Sequence, residues 1–489
     1  MNPAEHVART EPLASAPDWG WLDAGLAVAA RFEGLTYVAL PAPIVPAAVI
    51  VDEFRDGPLT AWTSSELTLV GIGVARELRG TGAARWAEVI AGAHAIATNT
   101  AEVGDEARDT MPTRMEPPSR AVIAGRLVPT SELGFARPRF IGGSAFAPGA
   151  ADRAPWTGFG DAWFALPRWS YVHDGTRAFV VLAIDARDVV HAARWRDELA
   201  ILRAAFAGDA IDRRQPPLVE LGPAPAAAWH RQVTDITDAI ARGAYSKVVA
   251  ARTCSVLLGG PVRTAQLLAA LDDRHADCVR VMIKPPGAGA LIAATPERLV
   301  RRDGDLVCCD ALAGSIGRTD DLEAATATLR ASTKDRREHD LVVHAIRAAL
   351  EDAGATVDAP AEPAIRALRH VLHLHTPFQA TLTTPRHVLE LAARLHPTPA
   401  VGGTPTDIAA AWISAHEPVA RGWYASPVGW FDLDGNGELA VALRSGMITG
   451  NRAQLWAGAG IVAGSDPDRE LAETEIKLRA MLGALGVMA

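Results

Sequence analysis

Cysteine is scarce in this chain: four among 489 residues, two of them the adjacent Cys308 and Cys309. Such numbers exclude a disulfide framework and make a reducing cytosol the expected compartment. Positive charge is also in deficit, with 48 Lys and Arg against 57 Asp and Glu and a net charge of −9. Nucleic acid and anionic membranes are thereby excluded as main partners, and an anionic substrate would need local cations or a metal. No uninterrupted apolar run of about 18 residues occurs, which excludes a membrane-spanning helix. The opening MNPAEHVARTEPLASAPDWGW has no apolar signal core, so a soluble intracellular protein is expected. What the chain does have is 49% hydrophobic and 21% charged residues, enough for a large buried core. Its length allows one large domain or two to three ordinary ones.

After a loose lead-in over residues 1–20, short β-rich runs (LTYVALPAP, LTLVGIGVA, AFVVLAIDA) alternate with helical stretches at 83–97 and 191–207. Pro/Gly/Arg-rich joins lie at 110–120 and 148–161. This order fits a mixed half with antiparallel sheet rather than regular βαβ winding. GIGVAR at 71–76 is half of a dinucleotide fingerprint, but Arg76 stands where the third glycine belongs, so it reads as a strand-edge turn. Residues 212–228, rich in proline, read as a joint. A helix is expected at 228–242, stopped by Gly243, and then a strand at 245–257.

In that strand Lys247 shares a face with Val249 and Ala251. Such a lysine either snorkels to the rim or is held inside for its amine, as a general base. Glu297 comes after a Thr-Pro turn between apolar segments, and by itself reads as a surface carboxylate. Leu312-Ala313-Gly314-Ser315 ends a strand in small residues, where backbone can approach a ligand. The helix expected over 334–353 carries an apolar stripe through Val342, Ile346 and Leu350, and Glu338 continues that stripe. A carboxylate on a buried face needs a partner.

The stretch 457–477, AGAGIVAGSDPDRELAETEIK, reads as a glycine-rich turn before a helix that aligns Glu470, Glu473 and Lys477 on one face. Acids there also suit a solvated helix start. With Glu338 they make a carboxylate set for a hard divalent cation, Mg²⁺ rather than zinc. His370, His373 and His375 are not a zinc site, because strand alternation parts 370 from the other two. HPTPAVGGTP at 396–405 is a rigid loop. DLDGNGE at 432–438 imitates a calcium loop but lacks its final glutamate, and is a hairpin turn. Arg444 lies in reach of a carboxylate if its strand borders the cleft. GAGIVA at 458–463 meets the dinucleotide pattern only formally, since a loop comes after it.

In order, KVVAAR, TPERL, LAGS, KDRREH, HPTPAVGGTP, RGWYASPVGW, AGAGIV and E-x-x-E-x-x-x-K occupy about 230 residues. The series resembles the chorismate-utilising enzymes: isochorismate, salicylate, anthranilate and aminodeoxychorismate synthases. The N-terminal segments GGSAFAPG and FALPRW are compatible with it. The resemblance implies an α/β fold of α+β type, two large stacked antiparallel sheets flanked by helices. Residues 1–220 would be mostly scaffold and 221–489 the catalytic region, the two forming one structural unit. Anthranilate synthases carry glutamine where Lys247 stands, and aminodeoxychorismate synthases of the lysine-nucleophile type carry lysine at Ala313. Water is then the implied nucleophile, and the loop HPTPAVGGTP looks like the isochorismate synthase version.

The activity implied by the resemblance is that of a Mg²⁺-dependent isomerase of chorismate, with Lys247 as base and Glu297 as acid. Glu338 and Glu473 would hold the metal, with Glu470 acting through water. Arg444, Tyr424 and the backbone of Gly458, Ala459 and Gly460 would clamp the enolpyruvyl carboxylate. Gly314, Ser315, Ala400 and Lys477 would complete the pocket. Ser315 stands where threonine is common, and Ala425-Ser426 where glycine is frequent. The alternatives are a salicylate synthase, which goes on to eliminate pyruvate, and a non-catalytic chorismate-binding protein. A monomer is expected, serving menaquinone or siderophore biosynthesis.

Overall fold

Alternation along the strands sorts the core into two layers. In the neighbouring strands Leu59–Thr63 and Thr68–Ile72, Trp62 and Leu69 face one layer while Ala61 and Val70 face the other. Tyr37 and Val38 divide in the same way in the strand Thr36–Pro41. Side chains of a strand point alternately to its two faces, so a sheet with such strands is apolar on both sides and must be covered on both. One layer is shared with a second sheet, through Ile141, Phe164, Val300 and Leu439. The other is closed by helices, through Leu26, Ile50, Leu199, Leu268 and Leu478. The computed structural model describes residues 19–31, 34–98, 120–123, 126–208 and 211–487. Residues 1–18 of the 1–20 lead-in and nearly all of the 110–120 join lie outside them, while residues 19 and 20 open the helix Trp19–Ala29.

Among the described residues the larger sheet has fourteen strands and the smaller has ten. Pairing is antiparallel, apart from Thr36–Pro41 beside Arg120–Ile123. Strands from both sides of residue 220 enter each sheet. In the larger, Leu59–Thr63 pairs with Val279–Lys284; in the smaller, Arg139–Ser144 pairs with Pro427–Asp432. The helices Arg85–Thr98, Thr333–Asp352 and Val388–Leu395 cover the smaller sheet. No helix of the described residues is long and apolar enough to cross a membrane.

The chain repeatedly passes from one sheet to the other. Thr68–Ile72 belongs to the larger sheet and Arg76–Gly80 to the smaller, so the GIGVAR turn is the passage between them, with Gly73 at φ 63°. The run at 290–302 is likewise broken. Ala290–Thr295 is in the larger sheet, Arg298–Asp303 is in the smaller, and Pro296-Glu297 is the step between. Gly437–Val441 and Ser445–Thr449 make the reverse passage, with Arg444 at φ 49° in the step. The expected helices at 228–242 and 334–353 are found as Ala226–Ala241 and Thr333–Asp352.

Two expectations are corrected. The 212–228 joint contains a strand, Leu218–Pro223, paired with Lys247–Leu258. Its side chains are largely exposed and it ends in proline, which an edge strand tolerates, so its sequence resembles a linker. The glycine-rich turn is not a turn at Gly458–Gly460, which lie inside the strand Arg452–Val462. The turn comes at 463–466, and Asp466 caps the helix Pro467–Ala484 by accepting from the Arg469 N–H.

Candidate active site

Glu297 and Arg444 stand at two adjacent passages between the sheets, where the Ala294 N–H donates to the Arg444 carbonyl at 3.2 Å and the Val441 N–H to the Glu297 carbonyl at 3.0 Å. A cleft opens at this seam. Glu297, Gly314, Ser315, Glu338, Ala400, Tyr424, Arg444, Gly458, Gly460, Glu473 and Lys477 all line it. Three residues expected there from the sequence do not. Lys247 reaches the site through Glu338, Ala459 is fully buried, its side chain turned away by strand alternation, and Glu470 faces an adjoining hollow with Lys334 and Glu473.

Lys247 does not snorkel. It begins its strand between Val462 and Thr404, is 0% exposed, and donates from Nζ to Glu338 Oε1 at 2.9 Å. An unpaired charge this deep would be very costly, and the pair removes most of that cost. Burial pushes the Glu338 carboxyl up, but Lys247, Lys334 and Lys477 outweigh it and hold the group below the ordinary glutamate value. The glycines of the facing strand make the room. A Cβ at Gly460 would stand 2.9 Å from Lys247 Cε and closer still to Glu338 Oε1. Gly460→Ala should therefore displace the pair. A stability loss of about 1–3 kcal/mol is expected, the scale of overpacking, in urea unfolding.

Glu297 is not a surface carboxylate. It is 3% exposed, and burial, reinforced by Asp310, pushes its pKa up to about 8 against the pull of Lys247 and Lys477. A carboxyl in that state carries a proton at neutral pH. Asp310 stays ionised: burial works against it, but His375 hydrogen-bonds it at 2.8 Å and Arg298 and Arg366 lie near.

The strand Leu306–Gly317 changes register between Ala313 and Ser315, with Gly314 at φ 74°. This bulge aims Ser315 Oγ at His373 Nδ1, 2.9 Å away, while His373 Nε2 meets an Arg444 nitrogen at 3.2 Å. Burial and Arg444 hold His373 well below the ordinary histidine value, so its neutral ring links the serine to the arginine. The three histidines have different partners: His373 goes to this relay, His375 to Asp310, and His370 lies beside His275. Sequence reasoning passes over His373 as a site residue, although its register opposite Ser315 is the available signal. It misses Arg421 entirely. Arg421 is buried with Glu417 and donates at 2.7 Å to the carbonyls of Val249 and Val401, tying the 396–405 loop to the Lys247 strand.

The carboxylates pair with lysines: Glu338 with Lys247, Glu470 with Lys334 at 2.6 Å, and Glu473 with Lys477 at 2.7 Å. Lys477 also donates to the Gly458 carbonyl at 2.8 Å. Burial, then the neighbouring Glu473, raises the Glu470 carboxyl above the ordinary value, with Lys334 opposing. Hard oxygen donors crowded to the point of mutual repulsion fit a hard divalent cation in kind. Their ligand atoms are nonetheless not drawn into one compact group as those of His275, Asp277 and Cys278 are.

Residues 90–486 match the family described as chorismate binding enzyme. The chain is 33% identical over 449 residues to the salicylate biosynthesis isochorismate synthase of Pseudomonas aeruginosa, covering 89% of this chain and 86% of that one. It is 40% identical over 262 residues to an isochorismate synthase of Bacillus subtilis, covering 53% and 55% respectively. Its fold is similar to that of the menaquinone-specific isochorismate synthase of Escherichia coli, with a TM-score of 0.74 at 24% identity over 95% of this chain and 99% of that one. A 2,3-dihydroxybenzoate-specific isochorismate synthase structure from Bacillus anthracis gives 0.69 at 25% identity, covering 90% and 100%.

Proposed function

Since the chain belongs to the chorismate binding enzyme family, we propose that it converts chorismate to isochorismate, with Lys247 as base and Glu297 as acid. The observation that carries this reading is a buried carboxyl raised to about 8 in the same cleft as a glutamate held by a buried lysine. Water adds at C2 of the ring while the C4 hydroxyl departs and the double bonds shift between them. Lys247, having passed its own proton to the Glu338 carboxylate it hydrogen-bonds, takes the proton from the attacking water, and Glu297 gives its proton to the departing hydroxyl, which is otherwise a very poor leaving group. Arg444, positioned by His373, and Lys477 supply positive charge for the two carboxylates of the substrate.

Glu338 and Glu473 are the residues that would hold Mg²⁺, with Glu470 behind them. When bound, the ion supplies charge neutralisation for the ring carboxylate. For Glu338 to serve it, the carboxylate must be shared with Lys247.

Purified protein incubated with chorismate and Mg²⁺ should give isochorismate on chromatography, without stoichiometric pyruvate. Turnover should vanish in EDTA and return with added Mg²⁺. Salicylate with pyruvate would replace this reading with a salicylate synthase, and chorismate binding without turnover with a binding protein. Full activity in chelator would remove the metal role.

A further inference from the structure

The turn between helix Thr264–Arg274 and strand Val279–Lys284 brings together His275, Asp277 and Cys278, one ligand atom from each lying within 4.8 Å of the other two. Among the described residues no other trio of His, Cys, Asp or Glu converges in this way. The turn is held by its own backbone, the Cys278 N–H donating to the His275 carbonyl at 3.0 Å and the His275 N–H to the Leu271 carbonyl at 2.8 Å. His275 and Cys278 are 2% and 3% exposed, whereas Asp277 is open to solvent and marks a way in. Nδ1 of His275 is buried and has no hydrogen-bond partner, which leaves it free to ligate. The His370 ring lies 6.1 Å away, centroid to centroid, on a different segment of the chain.

We propose that His275, Asp277 and Cys278 form a site for a zinc-class transition-metal ion, directly behind Arg444. Imidazole nitrogen, thiolate sulfur and carboxylate oxygen are the donors such ions take, and this mixed set is unsuited to Mg²⁺. Binding exchanges the thiol proton of Cys278 for the metal and releases that proton to solvent. Thiolate and carboxylate together balance a divalent charge, so the surrounding arginines meet a neutral cluster. Arg444 and the Cys278 sulfur lie near enough to influence one another electrostatically, which places the arginine in the surroundings of a metal-bound thiolate. The site is separate from the Glu338 and Glu473 carboxylates, and its existence does not depend on the reaction proposed for the cleft.

Cobalt is the probe. The full chain, stripped of transition metal and kept in excess Mg²⁺ to occupy the carboxylate set, is titrated with Co²⁺. One equivalent should produce a sulfur-to-cobalt charge-transfer band in the near ultraviolet, and Zn²⁺ should abolish it. Cys278→Ser should lack the band with an unchanged circular dichroism spectrum. Should Cys278→Ser fail to fold, the exposed Asp277→Asn supplies the test, with affinity for Co²⁺ falling by about tenfold or more. No band in the parent protein, an identical band in folded Cys278→Ser, or unchanged affinity in Asp277→Asn would each overturn the proposal.

Discussion

Glu297→Gln is expected to lower kcat by about 10²–10⁴, the range for losing a general acid, while leaving the protein folded. Glutamine has the shape and neutrality of the protonated acid but no proton to give. The raised pKa makes the same residue visible in stability. Below pH 4.5, the ordinary glutamate value, folded and unfolded chains both hold the proton and the group has no effect. Between 4.5 and about 8 the unfolded chain has released it while the folded chain keeps it. Stability therefore falls through that window by about 1.4 kcal/mol per pH unit from this group, and levels off above it. Melting temperatures of the parent should decline relative to Glu297→Gln across the window. The kcat/KM of the parent should fall above pH 8 as the acid is lost. A rate that stays level well beyond that pH would remove Glu297 as the acid.

The parts of the site that are legible in the sequence are those whose neighbours in the chain report on their burial. Glu338 extends an apolar helical stripe, and its burial follows from the 3.6-residue period alone. Glu473 and Lys477, four apart, meet in the cleft for the same reason, with Glu470 on the same helix face beside them in the adjoining hollow. Glu297 has no such local signal. Its burial comes from the passage between two sheets, a tertiary event that the run ALIAATPERLVRR, apolar on both sides, does not announce. The family resemblance supplies its role where periodicity cannot. Gly460 shows the converse limit. Its glycine reads locally as a turn, whereas the structure uses it as strand backbone that leaves space for Lys247 and Glu338. Ala459 turns its side chain away from the cleft, since three consecutive strand residues cannot all face one side. The 275–278 turn carries no periodic pattern, and only the packed helix–strand corner brings its side chains together.

Lys247→Arg separates two roles that the ion pair leaves entangled. Lys247 is fully buried and neutralises a mostly buried carboxylate, so Lys247→Met would take from Glu338 its hydrogen-bonded counter-ion and should cost up to about 3–5 kcal/mol in urea unfolding, less where Lys334 and Lys477 compensate. Loss of activity in that variant has two explanations, a missing base and a disturbed site. Arginine keeps the positive charge opposite Glu338, at an overpacking cost of about 1–3 kcal/mol because of the tight contact with Gly460. Its guanidinium remains protonated and cannot accept a proton from water. The base role therefore predicts a folded Lys247→Arg protein whose kcat is down by about 10²–10⁴. A counter-ion role predicts that turnover survives. Chorismate binding, followed by fluorescence titration, should be retained in either case, because Arg444 and Lys477 line the cleft independently of residue 247. Retained binding with lost turnover identifies Lys247 as the base; retained turnover would reassign it to charge balance and leave the attacking water to be activated by another group in the cleft.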